Sequence, residues 1–361
     1  LTDTKETDSE PVKVEDYSPW PWLWPRYWIP FVGTSSSSGG AFFQILTSNA
    51  DPLARHKYSL VLGHDTAVAQ TSFEARYFNS NQPLEWGIEV GRTARDLIYS
   101  PVIRDNRAVV FRYPLWHWKR HLWLTASTQH QTLSDKFSSQ SQLGVSSGLR
   151  WAEVSKGGRQ ITPQEGSAWY VNINPWFAGR EGGSWTQLQT GGSLYFSNFL
   201  PEWHSLLLRG QMSLTNGPLH SAFGESTVAF APRNDFNQPL ALLRGYRSGS
   251  LFGRNLLSTT SEWRFPLKEI WRGRGTVPVF LRRLHGALVS DAASADGFFF
   301  DPATKSFLET NIGFPYFSWG FEMHLETTVG YALPLNMILG FYDGSHAPAS
   351  LSLSFQLGAL F

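Results

Sequence analysis

The 361-residue chain has no cysteine. That excludes a disulfide framework and a thiolate metal site. It has no uninterrupted apolar run of about 18 residues, so a membrane-spanning helix is not expected. Charge is scarce: Asp, Glu, Lys and Arg together make 16% of the residues, against roughly 25% in an ordinary soluble domain. The net charge of +1 gives no basic excess of the kind that marks a nucleic-acid partner. There is no Gly-x-Ser-x-Gly elbow, no His-Glu-x-x-His pair and no Gly-x-x-x-x-Gly-Lys phosphate loop. No enzyme, cofactor or metal site is expected.

Aromatic residues are what the chain has in abundance. They make 15% of it, with 16 Trp, 12 Tyr and 26 Phe, beside 32 Gly. Few charges with many aromatics fit two kinds of protein. One is a carbohydrate-binding β protein. The other is a membrane β-barrel, whose aromatics form girdles at both interfaces.

Residues 1–18, "LTDTKETDSEPVKVEDYS", are polar and acidic without periodicity. They read as a linker. "PWPWLWPRYWIPF" follows, with Trp20, Trp22, Trp24 and Trp28 among four prolines. Proline at this density opposes both helix and ladder. Two forms stay open: an extended segment laying tryptophans on a membrane interface, or a plug packed against the end of a barrel.

From about residue 26 the pattern is alternation. In "PLEWGIEVG", Leu84, Trp86, Ile88 and Val90 alternate with Glu85, Gly87, Glu89 and Gly91. In "SWGFEMHLETTVG", Trp319, Phe321, Met323 and Leu325 alternate with Gly320, Glu322, His324 and Glu326. "PLNMILGFY" and "SLSLSFQLGALF" repeat it. A period of two means strands. About sixteen such segments occur, near 27–33, 40–48, 56–64, 67–79, 84–94, 106–116, 119–130, 142–154, 166–177, 187–199, 202–213, 255–266, 277–291, 316–330, 333–343 and 349–361. About 20 residues per strand and connection suit tilted membrane strands of about 10 residues. Short turns are expected at 63–66, 200–203 and 330–334, and long loops at 131–141, 155–165, 214–254 and 292–315.

Alternation alone does not say which face is outside. A soluble sandwich buries its apolar face, and an outer-membrane barrel turns that face to lipid. Aromatics at the ends of the apolar rows, small and charged residues on the polar rows, and an aromatic at Phe361 favour the barrel. Closure also removes the exposed edges of so large a sheet. The expected fold is all-β: a 16-stranded antiparallel transmembrane barrel over 26–361, integral to the bacterial outer membrane. Residues 1–25 are expected to be a linker from a missing periplasmic part of the same chain.

In that setting the loop stretch "LLRGYRSGS" gains a meaning. An arginine on a long loop inside a barrel needs carboxylates for its planar fork. Gly245 allows the turn beside Arg244. In "TSEWRFPL", Glu262 lies on the polar face, opposite in direction to Trp263 and Phe265. In "GALVSDAASADG", Asp291 shares a face with His285 and Ala287, with Asp296 as its rival. The row Glu322, His324 and Glu326 could serve a metal or a hydrolase, but lumenal hydrogen bonding is the weightier reading.

The run "LRGY…SEWRFPL…GALVSDAASADG" with the terminal "SFQLGALF" resembles the bacterial surface antigen superfamily, over roughly residues 200–361. That family holds the assembly barrels BamA and TamA and the two-partner secretion transporters. The resemblance implies a sixteen-stranded barrel with an Arg-Gly-aromatic tip on a loop inside it, here Arg244, Gly245 and Tyr246. It implies that the arginine meets an acid on the next strand, Glu262, and an aspartate on the one after, Asp291. The segment "LWPRYWIP" is similar to members whose barrel follows a β-propeller. "DAASADG" departs from the family's Asp-x-Gly.

The implied function is assembly, insertion or translocation of proteins, with client β-barrel or secreted proteins and outer-membrane lipid as partners. The alternative is a passive channel. The implied working element is a lateral seam between first and last strands, at Ile29, Pro30 and Phe31 against Phe355, Gly358 and Phe361. Pro30 removes one ladder donor from the first strand. A plain closed pair at that seam is the competing reading.

Overall fold

A computed structural model describes residues 17–34, 41–66, 69–96, 101–117, 120–134, 139–155, 163–178, 183–217, 221–223, 243–246, 250–301, 304–329 and 333–357. Among these, a single 3-10 turn at Trp20–Trp22 precedes eighteen strands. The strands are β1 (Ile29–Thr34), β2 (Ala41–Ala50), β3 (His56–Asp65), β4 (Gln70–Asn79), β5 (Glu85–Asp96) and β6 (Pro101–His117). Then come β7 (His121–Ser134), β8 (Ser139–Ser155), β9 (Glu165–Ala178), β10 (Ser184–Phe196), β11 (Ser205–Thr215) and β12 (Ser221–Phe223). The last are β13 (Leu251–Arg274), β14 (Val277–Asp301), β15 (Ser306–Thr310), β16 (Tyr316–Val329), β17 (Leu333–Gly344) and β18 (Ala347–Leu357).

The strands form one antiparallel sheet in which, two short strands apart, each pairs with its neighbour in sequence. Two strands are side branches. β11 pairs directly with β13 past the 3-residue β12, and β14 with β16 past the 5-residue β15. Sixteen staves remain, one for each segment read from the alternation. Because every pairing is antiparallel, the start of β1 and the end of β18 lie at one rim, called here proximal. The opposite rim is distal.

Burial decides which face is outside. Trp319 is 61% exposed and Leu353 55%, whereas Glu322 and Glu262 are 4% and 2% exposed. Apolar rows such as Trp86–Ile88–Val90 and Leu339–Phe341 face outward. The interior is lined by polar side chains including Thr47, Ser59, Glu89, Gln131, Asn174 and Ser213. Several interior side chains bond across neighbouring staves: Gln129 donates to Asn106 at 2.6 Å and Gln131 to Gln142 at 3.2 Å. A water-soluble sandwich would have the reverse arrangement. Polar inside and apolar outside is what a bilayer demands of a spanning sheet.

Three boundaries differ from the sequence reading. The segments expected at 255–266 and 277–291 are much longer, 24 and 25 residues in β13 and β14. The loop expected at 292–315 is therefore mostly ladder, since β14 runs to Asp301 and β15 adds Ser306–Thr310. Most of the loop expected at 131–141 is also strand, in β7 and β8. Gly, Ala and Ser in "DAASADG" mimic loop composition, but tertiary pairing overrides such weak propensity. The turn at 200–203 joins β10 to β11. The turn expected at 63–66 falls later, because Gly63, His64 and Asp65 still pair with Ser72, Thr71 and Gln70. Most of 214–254 and the centre of the turn at 330–334 lie outside the described residues.

The tryptophan-rich segment runs along the proximal rim. Asn49 donates to the Trp22 and Trp24 carbonyls at 2.6 and 3.3 Å, and Tyr27 bonds Ser48 at 2.9 Å. Tyr17 donates to Asp51 in the β2–β3 turn. Trp20 and Trp24 remain exposed, so the segment is fixed by its backbone while its rings face outward.

Candidate functional site in the barrel interior

The described tip of the long loop, Leu243–Tyr246, lies against the inner wall at β13, β14 and β16. Leu243 and Tyr246 sit in an apolar cluster with Leu251, Leu256, Ala293, Ala295, Phe299 and Tyr316. Tyr246 meets Phe299 edge-on at 5.9 Å between ring centroids. Its hydroxyl donates to the Phe317 carbonyl at 3.1 Å and accepts the His346 N–H at 3.1 Å. Gly245 has φ +83°, a conformation that suits glycine. A side chain there would also press on Tyr342, with a Cβ only 3.0 Å away. Gly344 answers from the wall: a Cβ at that position would lie 2.7 Å from the Tyr246 ring.

Arg244 is held by three carboxylates on three staves. It pairs with Glu262 of β13, with Asp291 of β14 at 3.0 Å, and with Glu322 of β16 through Nε at 2.9 Å. Its backbone N–H donates to Asp291 at 3.1 Å. Burial alone would lower the arginine's pKa, but the three carboxylates raise it above its usual value. Each acid has further support. Arg264 pairs with Glu262, the Tyr342 hydroxyl donates to Glu322 at 2.8 Å, and His324 bonds Glu322 at 2.7 Å. Asn336 bonds the other His324 nitrogen at 3.0 Å. Every acid is buried, so geometry and hydrogen bonding must offset desolvation.

Register explains the convergence. Thr260 stands opposite Asp291, Glu262 opposite Val289, and Ala287 opposite Glu322. Measured along β14, Glu262 thus stands two residues from Asp291 and Glu322 four, all on the inward parity, and the one guanidinium spans them. Asp296 has the opposite parity from Asp291, is exposed, and accepts from Asn255 at 3.3 Å. It does not reach the arginine. Glu322 is the partner missed by the sequence reading, which placed it only among general lumenal polar groups. The alternating pattern showed its inward face, but its level depended on the β14–β16 register. His285 and His324 stack at 4.5 Å just beyond it, and Glu326 pairs with Arg283 at 2.9 Å.

The expected seam residues are less fully placed. Ile29, Pro30 and Phe31 lie in β1 opposite Leu46, Ile45 and Gln44. Phe355 lies in β18 opposite Met337. Gly358 and Phe361 lie outside the described residues. Among the described residues no ladder joins β1 to β18, and β1 is the shorter, 6 residues against 11.

Asp291→Ala should lower stability by roughly 1.5–3 kcal/mol, the range for hydrogen bonds to charged groups. Asp296→Ala should lie within about 0.5 kcal/mol of wild type, as expected at an exposed site. Denaturant midpoints of the folded protein in detergent would compare the two, and equal effects would contradict the assignment.

An antiparallel sheet of this size, apolar outside and polar within, defines the class: an outer-membrane β-barrel. Among solved structures the chain is similar to CdiB from Escherichia coli, with a TM-score of 0.60 at 13% identity. The match covers 91% of this chain and 61% of that one. CdiB from Acinetobacter baumannii aligns with a TM-score of 0.48 at 12% identity, covering 91% and 57%. The siderophore receptor PirA from Pseudomonas aeruginosa gives 0.40 at 10%, covering 92% and 71%. No protein-family model matches the chain, and no curated protein does. The particular barrel fold it shares is that of Escherichia coli CdiB, of which it spans about three-fifths.

Proposed function

We propose that this barrel moves polypeptide across or into the outer membrane, and that the Arg-Gly-Tyr tip is an internal lock holding the loop in the lumen. The observation that carries the reading is the arginine. A loop cation buried against three acids on three staves is far more than solvation or a chance ion pair requires. The fold shared with CdiB, a two-partner secretion transporter, supports translocation over a simple pore. Membership of the surface antigen superfamily would account for both.

In this reading the lateral seam lies between β1 and β18. Its short first strand carries Pro30, which cannot donate to a ladder. An open edge there would accept a client strand through main-chain hydrogen bonds, with little demand on sequence. Clients are secreted or β-barrel proteins, delivered by periplasmic domains of the same chain. No catalytic step is assigned.

The competing reading is a passive channel, and planar-bilayer recording separates the two. Wild type should show low or brief conductance if the locked tip keeps the loop in the lumen. Deleting 224–242 together with an Arg244→Ala change should produce a larger, steadier pore. A large steady pore in the wild type would overturn the lock and favour the channel.

A further inference from the structure

The two rims treat their arginines differently. At the distal rim Arg92 is clamped by Asp105 through two bonds of 2.6 and 2.9 Å. At the proximal rim guanidinium groups lie over aromatic rings. Arg26 stands 4.9 Å from the centre of the Trp22 ring, Arg55 5.8 Å from Tyr17, and Arg282 5.5 Å from Trp271. Arg120 stands 5.7 Å from Trp151, although Glu153 also pairs with it at 3.1 Å. These pairs come from four separate places on the rim: the tryptophan-rich segment, the β2–β3 turn, the β6–β7 turn and the β13–β14 hairpin.

That hairpin extends the rim. β11 pairs with β13 only as far as Arg264, yet β13 continues to Arg274. Beyond Pro266 the ribbon is exposed on both faces, carrying Leu267, Lys268, Trp271 and Arg272. The nearby acid Glu269 accepts the Trp271 indole N–H at 3.1 Å. Exposed indoles suit a membrane interface, where the ring is apolar and the N–H is wet. A guanidinium stacked on such a ring keeps its edge N–H donors available, and their fork matches phosphate oxygens.

We propose that the proximal rim is a headgroup-binding belt for the phosphates of bilayer lipid, with anionic phospholipid preferred. The Arg26–Trp22 and Arg282–Trp271 pairs, with Arg272, form its main contacts. The inference rests on the membrane reading of the fold but not on the lock or on any client. It fixes how the barrel sits in the bilayer, because among the described residues these pairs gather at the proximal rim.

The test uses the full chain refolded into phosphatidylcholine vesicles with and without phosphatidylglycerol, and spin-labelled versions of the two lipids. Each guanidinium in the headgroup layer is expected to favour the anionic lipid about 5-fold. Wild type should select labelled phosphatidylglycerol, and the selectivity should fall at high salt. The R26Q/R272Q/R282Q variant should lose most of it while folding normally in pure phosphatidylcholine. Equal selectivity in wild type and variant would overturn the proposal, as would no selectivity in wild type. Loss of selectivity on adding inorganic phosphate at constant ionic strength would place the site with free phosphate rather than lipid, and would also overturn it. Failure to fold in any vesicle would instead sink the membrane reading itself.

Discussion

Arg244→Ala is expected to lower the stability of the barrel by about 3–5 kcal/mol, the cost of stripping one partner from a buried ion network. The change leaves Glu262, Asp291 and Glu322 clustered on the inner wall without the cation they share. Arg264 still answers Glu262, and His324 still bonds Glu322, but the charge at the centre is gone. The heat-modified band on gels should convert at a clearly lower temperature. Arg244→Lys should recover only part of the loss, because a single ammonium cannot reproduce a fork that meets three staves. Arg244→Ala combined with Glu262→Ala should cost less than the sum of the two, since each removes the reason for the other. Wild-type behaviour of Arg244→Ala would show that the tip is not held at this level.

The second large effect is expected at Tyr246. Tyr246→Ala should cost about 3–5 kcal/mol, as for other aromatic truncations in a packed site. The ring is 2% exposed and wedged beside Phe299 and Leu243. Tyr246→Phe keeps the ring and loses the bonds to Phe317, Ser345 and His346. It should cost nearer 1 kcal/mol. The two variants therefore separate packing from hydrogen bonding. In bilayer recordings the alanine variant should leak, because the tip loses its apolar anchor, and the phenylalanine variant should stay closed. A tight alanine variant would mean that Arg244 alone retains the loop.

Much of this molecule could be read from local pattern. Rows such as Trp86–Ile88–Val90 announce a strand wherever they occur, because successive side chains must point to opposite sides. The same parity puts Glu262 and Asp291 on polar faces and Asp296 on the other side of its strand. Composition misled where it imitated a loop. "DAASADGFFFD" is rich in Ala, Ser and Gly, yet it is ladder from end to end, opposite Leu251–Thr260 on one side. No periodicity of an isolated strand reveals a partner of that length.

Local alternation was enough to count the staves, order them and sort residues between the two faces, since these follow from chain geometry over a few residues. The tertiary structure decided three things. It turned the apolar rows outward, which alternation leaves open. It set the levels of the staves, bringing Glu322 beside Arg244 although 78 positions separate them. It also assembled the pocket of Leu251, Phe299 and Tyr316 that receives Tyr246. All three depend on register and on which surface meets the solvent, and register between distant strands is a property of the whole sheet rather than of any one of them.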